Sequence, residues 1–413
     1  AYLAWRRGRG REDCVRFGER RGSASRPRPP GPLVWLHAAS VGEAQSALPL
    51  VAALLARHPR CSALVTTGTV TSARLMGERL PPRAIHQYVP VDRPAWVRRF
   101  LDHWRPDLAL WIESELWPNL VLETAARGIP MALVNGRMSD RSFAGWQKLP
   151  RLIRPLLGAF RRVLAQSEGD AERYRSLGAG QVAATGSLKF DAAPLPAEAS
   201  ALASLGASLG ARPRWLAAST HEGEEAAAAA AHRLLASRHP GLVTLIAPRH
   251  PARGGEIAAK LRALGLAVAR RSKGERLEAA SEIYLADTMG ELGLLYRLAP
   301  VAFIGGSLVP HGGQNLLEPA RLGCAILHGP HVENFRAIAE ALAKAGASET
   351  VADEAALARA VAALLGDEAL RARRGAAARR VSEEGRGVLE RVLAALAPEL
   401  AALDAREAQL ARA

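Results

Sequence analysis

Short apolar runs alternate with helical patterns along most of this chain. PLVWLH (32–37), ALVTT (63–67), LALWI (108–112), MALVN (131–135) and RVLAQ (162–166) are apolar blocks of strand length. Such blocks suit strands covered on both faces. After the first, Ala44, Leu48, Val51, Leu54 and Leu55 recur at helical spacing, so an amphipathic helix is expected to open near Gly42 or Glu43. Strands separated by helices predict right-handed βαβ units and a parallel sheet over residues 31–191. Residues 192–213, rich in Ala, Ser, Pro and Gly, read as a connection with room for a short helix. WLAAS (215–219), LVTLIAP (242–248), EIYLA (282–286), VAFIGG (301–306) and CAILHG (324–329) then restart the theme over residues 214–366, with Thr220 placed to cap the helix after WLAAS. Residues 367–413 read as C-terminal helices. The expected fold class is α/β: two Rossmann-like doubly wound domains facing a cleft, with ligands beyond the carboxyl ends of the strands.

A length of 413 residues accommodates two such cores. Lys and Arg outnumber Asp and Glu by 55 to 40, a net charge of +15 that favours an anionic partner: nucleic acid, a membrane surface or a phosphorylated substrate. Aromatics make up only 5%, which argues against nucleic acid, because single-strand grooves need stacking platforms. No run of eighteen apolar residues is present. Residues 1–30 form a basic segment opening AYLAWRRGRGRED, either the cytoplasmic flank of a preceding hydrophobic anchor or a plain basic tail. Cys14, Cys61 and Cys324 form no CxxC pair, which argues for a reducing compartment and against a cysteine–zinc site; Cys324 reads as core. His328 and His331 are the closest histidines but lack nearby carboxylates, so no metal site is expected there. Between Arg137 and Arg162, seven basic residues interleave with Phe143, Trp146, Leu149, Leu152, Ile153, Leu156, Leu157 and Phe160. That pattern fits an interfacial helix or a core-facing helix with a solvated basic side.

Candidate chemistry clusters where strands end. Glu43, after PLVWLH, either complements the first helical turn or serves as a base, and Glu113 and Glu115 follow LALWI. In FIGGSLVPHGGQNLLEPARLG (303–323), Gly305, Gly306, Gly312 and Gly313 would let successive free N–H groups hold a phosphate. Asn315 and Glu318 lie three apart at a helix start, where a carboxylate can accept from a ribose diol. DTMGELGLLY (287–296) reads as an Asp-capped helix or as amides facing an anion, and APRHP places Arg249 and His250 at a strand end. Walker, dinucleotide-binding and Asp-x-Asp motifs are missing, which weighs against kinase, dehydrogenase and metal-dependent transferase chemistry.

HAASVGE (37–43), IESELWPN (112–119), NGRMSDRS (135–142), GSLKFD (186–191), APRHP, DTMGELG and GGSLVPHGGQNLLEPA together resemble the bacterial 3-deoxy-D-manno-octulosonic acid (Kdo) transferases, in family order over roughly residues 20 to 350. The resemblance implies a GT-B fold, with an N-terminal acceptor-binding domain and a C-terminal CMP-Kdo-binding domain. It implies inverting transfer of Kdo to a phosphorylated lipid A precursor at the cytoplasmic face of the inner membrane, without metal or cofactor. By the same likeness Glu43 is the base, and Glu113 and Lys189 act around the transition state. Arg249, His250, Met289, Gly290, Glu291, Gly305, Gly306, Ser307, Asn315 and Glu318 would contact the donor, and Ser40, Gly42, Glu115 and Arg137 the acceptor. The family usually begins with a hydrophobic anchor. A GT-B transferase using a UDP-sugar and a lipid-linked acceptor is the alternative. The sequence carries no reading of the oligomeric state.

Overall fold

The computed structural model describes residues 8, 9 and 12–410, with the backbone alone over 406–410. The basic-tail reading therefore lies partly outside the described residues. Strands and helices alternate as the apolar pattern requires: β1 (Leu33–His37), α1 (Val41–Arg57), β2 (Ser62–Thr67), α2 (Val70–Arg79), β3 (Ala84–Tyr88), α3 (Pro94–Trp104), β4 (Leu108–Ile112), α4 (Pro118–Ala126) and β5 (Met131–Gly136). Then come α5 (Asp140–Gln147), α6 (Pro150–Gly158), β6 (Arg162–Ala165), α7 (Glu168–Ser176), β7 (Val182–Ala184), α8 (Ala199–Leu209), β8 (Arg214–Thr220), α9 (Glu224–Ala236), β9 (Val243–Pro248) and α10 (Gly254–Ala263). The remainder is β10 (Val268–Arg270), β11 (Ile283–Leu285), α11 (Leu292–Leu298), β12 (Val301–Ile304), α12 (Leu317–Arg321), β13 (Ala325–His328), α13 (Arg336–Lys344), β14 (Ser348–Thr350), α14 (Glu354–Gly366), α15 (Glu368–Glu384), α16 (Val388–Ala395) and α17 (Ala397–Leu410).

The chain forms two compact units, Ala1–Ala192 with Gly385–Ala413, and Ala193–Glu384. Each holds a seven-stranded sheet, ordered β3-β2-β1-β4-β5-β6-β7 in the first and β10-β11-β9-β8-β12-β13-β14 in the second. Every pairing is parallel. In the first unit, period-two alternation sends Leu33 and Trp35 into a core with Phe100, Trp104 and Trp111. Val34 and Leu36 enter the core on the other face, with Leu50, Val51 and Leu54 of α1. The second sheet buries Trp215 and Phe303 against helices that include α9 and α14. Cys324 is buried as expected.

Four short edge strands, β3, β7, β10 and β14, carry no strand-length apolar block, because an edge strand is covered less completely. Residues 192–213 are more than a connection: α8 packs on α11 within the second unit. The expected block of C-terminal helices divides at Gly385, with α15 in the second unit and α16 and α17 in the first. From residue 12 onward the basic N-terminal segment is tied to the first sheet's edge. Arg16 donates to the His86 carbonyl (2.8 Å), Glu19 accepts from the Tyr88 N–H (2.8 Å), and Arg28 donates to the Trp104 carbonyl (2.8 Å).

The apolar stripe over 143–160 is divided between α5 and α6. Ile153, Leu156, Leu157 and Phe160 are buried in the first core, and Phe143 and Trp146 pack against it, so that part faces inward rather than toward an interface. Leu149 and Leu152 remain 51% and 38% exposed.

The returning helices are fastened to the first unit through Asp191, whose carboxylate accepts from the N–H of Gly387 (2.8 Å) and of Leu389. Val388, Val392 and Leu396 then enter the core beside α1. Asp191→Ala is expected to cost about 1 kcal/mol as a lost helix cap. Leu396→Ala, at a fully buried position, is expected to cost roughly 2–5 kcal/mol. Urea unfolding midpoints of the two variants test this order.

Candidate active site

In the first sheet β1 and β4 are neighbours, yet the chain leaves β1 toward β2 on one side and β4 toward β5 on the other. Loops that diverge in this way leave a crevice at the carboxyl edge. His37 and Trp111 are paired in register there, so the residues that follow, Ser40 to Glu43 and Glu113 to Glu115, share one end of the sheet.

Ser40 is the N-cap of α1, its hydroxyl oxygen accepting from the Glu43 N–H (3.3 Å), and the Glu43 side chain reaches back to the residues that lead into the helix. One Glu43 oxygen accepts from the Ala39 N–H (2.7 Å) and the other from the Ser40 hydroxyl (2.9 Å). The helix-complementing reading of Glu43 therefore holds. Glu43 is only 8% exposed. Burial, reinforced by Glu113 and Glu115 and partly offset by Ser40 and Ala39, lifts its pKa from 4.5 to about 7. A carboxyl poised there suits a base working near neutral pH. Burial also raises Glu115, with Trp117 opposing and Glu113 adding to the rise.

Glu113 has φ +65° and donates its N–H to the Val134 carbonyl (3.0 Å). A non-glycine residue in this region stores roughly 1–3 kcal/mol of strain. Its carboxylate stands 3.3 Å from the Lys189 ammonium. Lys189 is carried on a one-turn helix, Leu188–Asp191, whose first N–H donates to the Asn135 side-chain oxygen (3.0 Å). Asn135 is buried with φ +58°, so a second left-handed residue fixes the lysine opposite the glutamate. Sequence reading passed over Asn135; the available signal was an Asn closing the buried apolar run MALVN, since Asn tolerates this region. Gly42 is exposed at the start of α1. The Arg137 carbonyl accepts from Ser114 and from Tyr174 (3.3 Å), which fastens the β5 loop beside Glu113.

In the second unit Arg249 and His250 follow β9 and are exposed, as their position in the sequence suggests. Met289 is 73% exposed, Gly290 has φ +83°, and Glu291 is engaged by Arg271 and Thr288, which outweigh burial and hold its pKa below the usual range. Asp287 does not cap α11. It is buried, accepting from Arg270 (2.5 Å) and from the N–H and hydroxyl of Ser272 (2.9 and 2.7 Å). Thr220 does not cap α9 either: Gly223 is the N-cap, and the Thr220 hydroxyl donates to Glu225 (3.0 Å). Asn315 donates to Glu318 (3.1 Å), whose carboxyl is raised by burial against the lowering effect of Asn315, Arg321 and Arg249.

The glycine loop departs most from expectation. The amides of its first turn, Gly305 to Leu308, are not free for a phosphate, and the Gly313 N–H is spent on the Gly306 carbonyl (2.7 Å). The Glu224 carboxylate, 1% exposed, accepts from the N–H of Gly306 (2.6 Å), Ser307 (3.0 Å), Leu308 (2.9 Å) and His221 (2.8 Å). The Gly305 N–H goes to the Ala218 carbonyl (2.8 Å), and the Ser307 hydroxyl is buried, donating to Ile304 (2.5 Å) and accepting from Gly329 (2.8 Å). Glycine at 305 is required by close approach, since a Cβ there would lie 2.6 Å from the Ser219 carbonyl oxygen. Glu224 was invisible in the sequence because an acid in a first helical turn reads as an ordinary cap.

The raised pKa of Glu43 has a signed consequence for stability. Between pH 4.5 and about 7 the folded chain keeps a proton that the unfolded chain has released. Stability therefore falls as pH rises through that window, and the deficit persists above it. Glu43→Gln removes this titration, so the variant should gain roughly 2–3 kcal/mol on wild type between about pH 5 and about pH 8. Chemical denaturation at the two pH values measures the difference.

Comparison with known proteins bears on this arrangement. The family model described as 3-Deoxy-D-manno-octulosonic-acid transferase (kdotransferase) matches residues 15–192. The 3-deoxy-D-manno-octulosonic acid transferase of Bordetella pertussis is 39% identical over 397 residues, covering 92% of this chain and 90% of its own. That of Haemophilus influenzae is 37% identical, covering 92% and 89%. Among solved structures, the UDP-GlcNAc 2-epimerase from Neisseria meningitidis, bound to UDP-GlcNAc, superposes with TM-score 0.59 at 13% identity, over 87% of this chain and 99% of that one. At that identity the likeness speaks for the fold, two doubly wound units of the GT-B kind. The relatives, aligned over nine-tenths of the chain, place it in the 3-deoxy-D-manno-octulosonic acid transferase family of glycosyltransferases.

Proposed function

We propose that this Kdo transferase moves Kdo from CMP-Kdo to a phosphorylated lipid A precursor of the lipid IVA type, in lipopolysaccharide biosynthesis, with inversion and without a metal. The observation that carries the reading is Glu43, a buried carboxyl with a pKa near 7 at the carboxyl edge of the first sheet, beside the Glu113–Lys189 pair. A sugar hydroxyl is a weak nucleophile at neutral pH. Glu43 takes its proton as the hydroxyl oxygen bonds to the anomeric carbon of Kdo and the bond to the CMP phosphate breaks from the opposite side. General-base assistance of this kind is worth on the order of 10²–10⁴-fold. Glu113 holds Lys189 in place, and the lysine ammonium offers positive charge as negative charge develops on the departing phosphate. Ser40, Gly42 and Glu115 flank Glu43 and Glu113 in sequence, and Arg137 is held beside Glu113 through its carbonyl and Ser114; these four are the acceptor-side candidates. Met289 to Glu291, Asn315 and Glu318 are the donor-side candidates.

The assay that tests this combines the purified protein, a tetraacylated lipid A precursor and CMP-Kdo made in the same tube, with products read by mass spectrometry. A lipid heavier by one or more Kdo residues is expected, with the rate unchanged by EDTA and rising with pH through about 7. Glu43→Gln should lose about 10²–10⁴-fold in turnover while CMP affinity stays near wild type. Loss of CMP binding in that variant would remove Glu43 from the acceptor side, and competition by UDP rather than CMP would favour the UDP-sugar reading.

The acceptor is a lipid, and we propose that the protein meets it at the cytoplasmic face of the inner membrane, attached peripherally or through an N-terminal hydrophobic anchor lying outside this chain. No described helix is long and apolar enough to cross a membrane. Leu149 and Leu152 at α6 and Trp117 and Leu122 at α4 are exposed on two helices that pack together. Arg141, Lys148, Arg151 and Arg154 are exposed beside them. Apolar side chains flanked by cations suit an anionic bilayer surface. Flotation with vesicles containing anionic lipid should show binding that falls with salt and drops several-fold in Leu149→Ser/Leu152→Ser. Binding that ignores both changes would place attachment elsewhere.

A further inference from the structure

Glu224 occupies the amides of Gly306, Ser307 and Leu308, so an anion at that turn must find other donors. The strand order locates them. β8 and β12 are neighbours, with β9 on the far side of β8 and β13 on the far side of β12. This is the second sheet's own switch point, where the loops part and a ligand can enter.

Three histidines from three loops converge there. His221 follows β8, His250 follows β9, and His311 lies in the loop after β12. The His221 and His311 rings are stacked, with centroids 4.3 Å apart and planes inclined by 25°. His250 meets His221 edge-on at 5.9 Å. The Gln314 amide nitrogen is 3.2 Å from His221 Nε2. Gly306 underlies the group: a Cβ there would come within 3.2 Å of His221 Cδ2 and 3.4 Å of the Gln314 amide nitrogen. The absence of a side chain at 306 thus leaves space for the imidazole rather than for a phosphate. His311 and His250 are exposed and His221 is half-buried, so the cluster is open to solvent.

Stacked rings are a cost in the free protein if both are charged. Burial, followed by His311, His250 and Arg249 and against the opposing pull of Glu224, holds His221 below the usual histidine pKa. His221 is therefore neutral near pH 7, presenting one N–H donor. Arg249, adjacent to His250 in the chain, adds a permanent charge at the same edge.

We infer that the phosphate of the donor nucleotide is received by the side chains of His221 and His311 at the second switch point, not by the glycine amides. The inference rests on the CMP-donor reading and deepens it by naming two phosphate ligands.

The test is calorimetric binding of CMP and cytidine to the full chain in detergent, for wild type, His221→Gln and His311→Gln. Wild type should bind CMP at least about 10-fold more tightly than cytidine, because the phosphate adds charge-assisted hydrogen bonds. Each variant should lose about 10-fold in CMP affinity and leave cytidine affinity unchanged. His311 is exposed, so its replacement keeps the test valid even if His221→Gln fails to fold. CMP binding unchanged in both variants overturns the inference and leaves the donor reading standing. Equal losses for CMP and cytidine overturn it too, by assigning the histidines to the base or to loop shape. If wild type binds UMP and not CMP, the donor reading falls. The same two variants compared with UMP and uridine then decide the phosphate site on its own.

Discussion

A carboxylate buried at a helix start must have its oxygens filled by donors, and how completely they are filled decides what it can do. Each unit of this protein contains such a group on the helix that follows a central strand. In the second unit Glu224 takes four backbone N–H groups from two loops and is sealed. Its work is to hold the β8 and β12 loops together. In the first unit Glu43 takes one amide and one hydroxyl and faces two further acids. Two donors do not compensate burial and like charge, so the carboxyl is pushed to a pKa near 7 and keeps an affinity for protons. The same placement on the same fold thus gives a structural clasp in one unit and, in the other, a proton-holding carboxyl, the group proposed above as the base.

Backbone strain follows the same geography. Of the five described non-glycine residues with positive φ, three lie at carboxyl ends, Glu113 directly after β4 and Asn135 and Ser219 one residue before the ends of β5 and β8, while Arg83 and Arg105 lie ahead of β3 and β4. At Ser219 the register with β9 shifts between Ala218 and Thr220. Glu113 and Asn135 act as a pair: the first aims a carboxylate, and the second pins the turn that carries Lys189. Residues held in this region persist only where their surroundings over-determine them. Here a strand-end hydrogen bond to Val134 and a buried side-chain contact to Leu188 provide that.

The buried centre of each sheet was legible because a strand covered on both faces must be apolar throughout. LALWI and VAFIGG therefore declared themselves, and so did the carboxyl-end placement of Glu43, Glu113, Arg249 and His250. The edges were not legible, since AIHQY, VAA, VAR and SET are too polar or too short to differ from loops. Caps misled in both directions. Asp287 and Thr220 stand where caps belong but serve Arg270 and Glu225 instead, because partners distant in sequence outcompete the local amide. The stripe over 143–160 shows the limit of periodicity. Helical spacing separates an apolar face from a polar one, but it does not say whether that face meets a core or a membrane. Only Leu149 and Leu152 of its α6 portion stay outside.

The glycine loop carries the broader lesson. A Gly-Gly-Ser turn after a strand exposes consecutive N–H groups, and consecutive N–H groups attract an anion. Sequence alone leaves open whether that anion is a ligand or the chain's own carboxylate. Glu224 makes the nest internal, so its contribution to ligand binding becomes indirect: it fixes the backbone from which His221 and the 306–314 loop extend. Positive charge for a phosphate must then come from side chains, which are longer and more easily rearranged than amides. The cluster of Arg249, His250, His221 and His311 at one sheet edge has the composition such a division of labour requires.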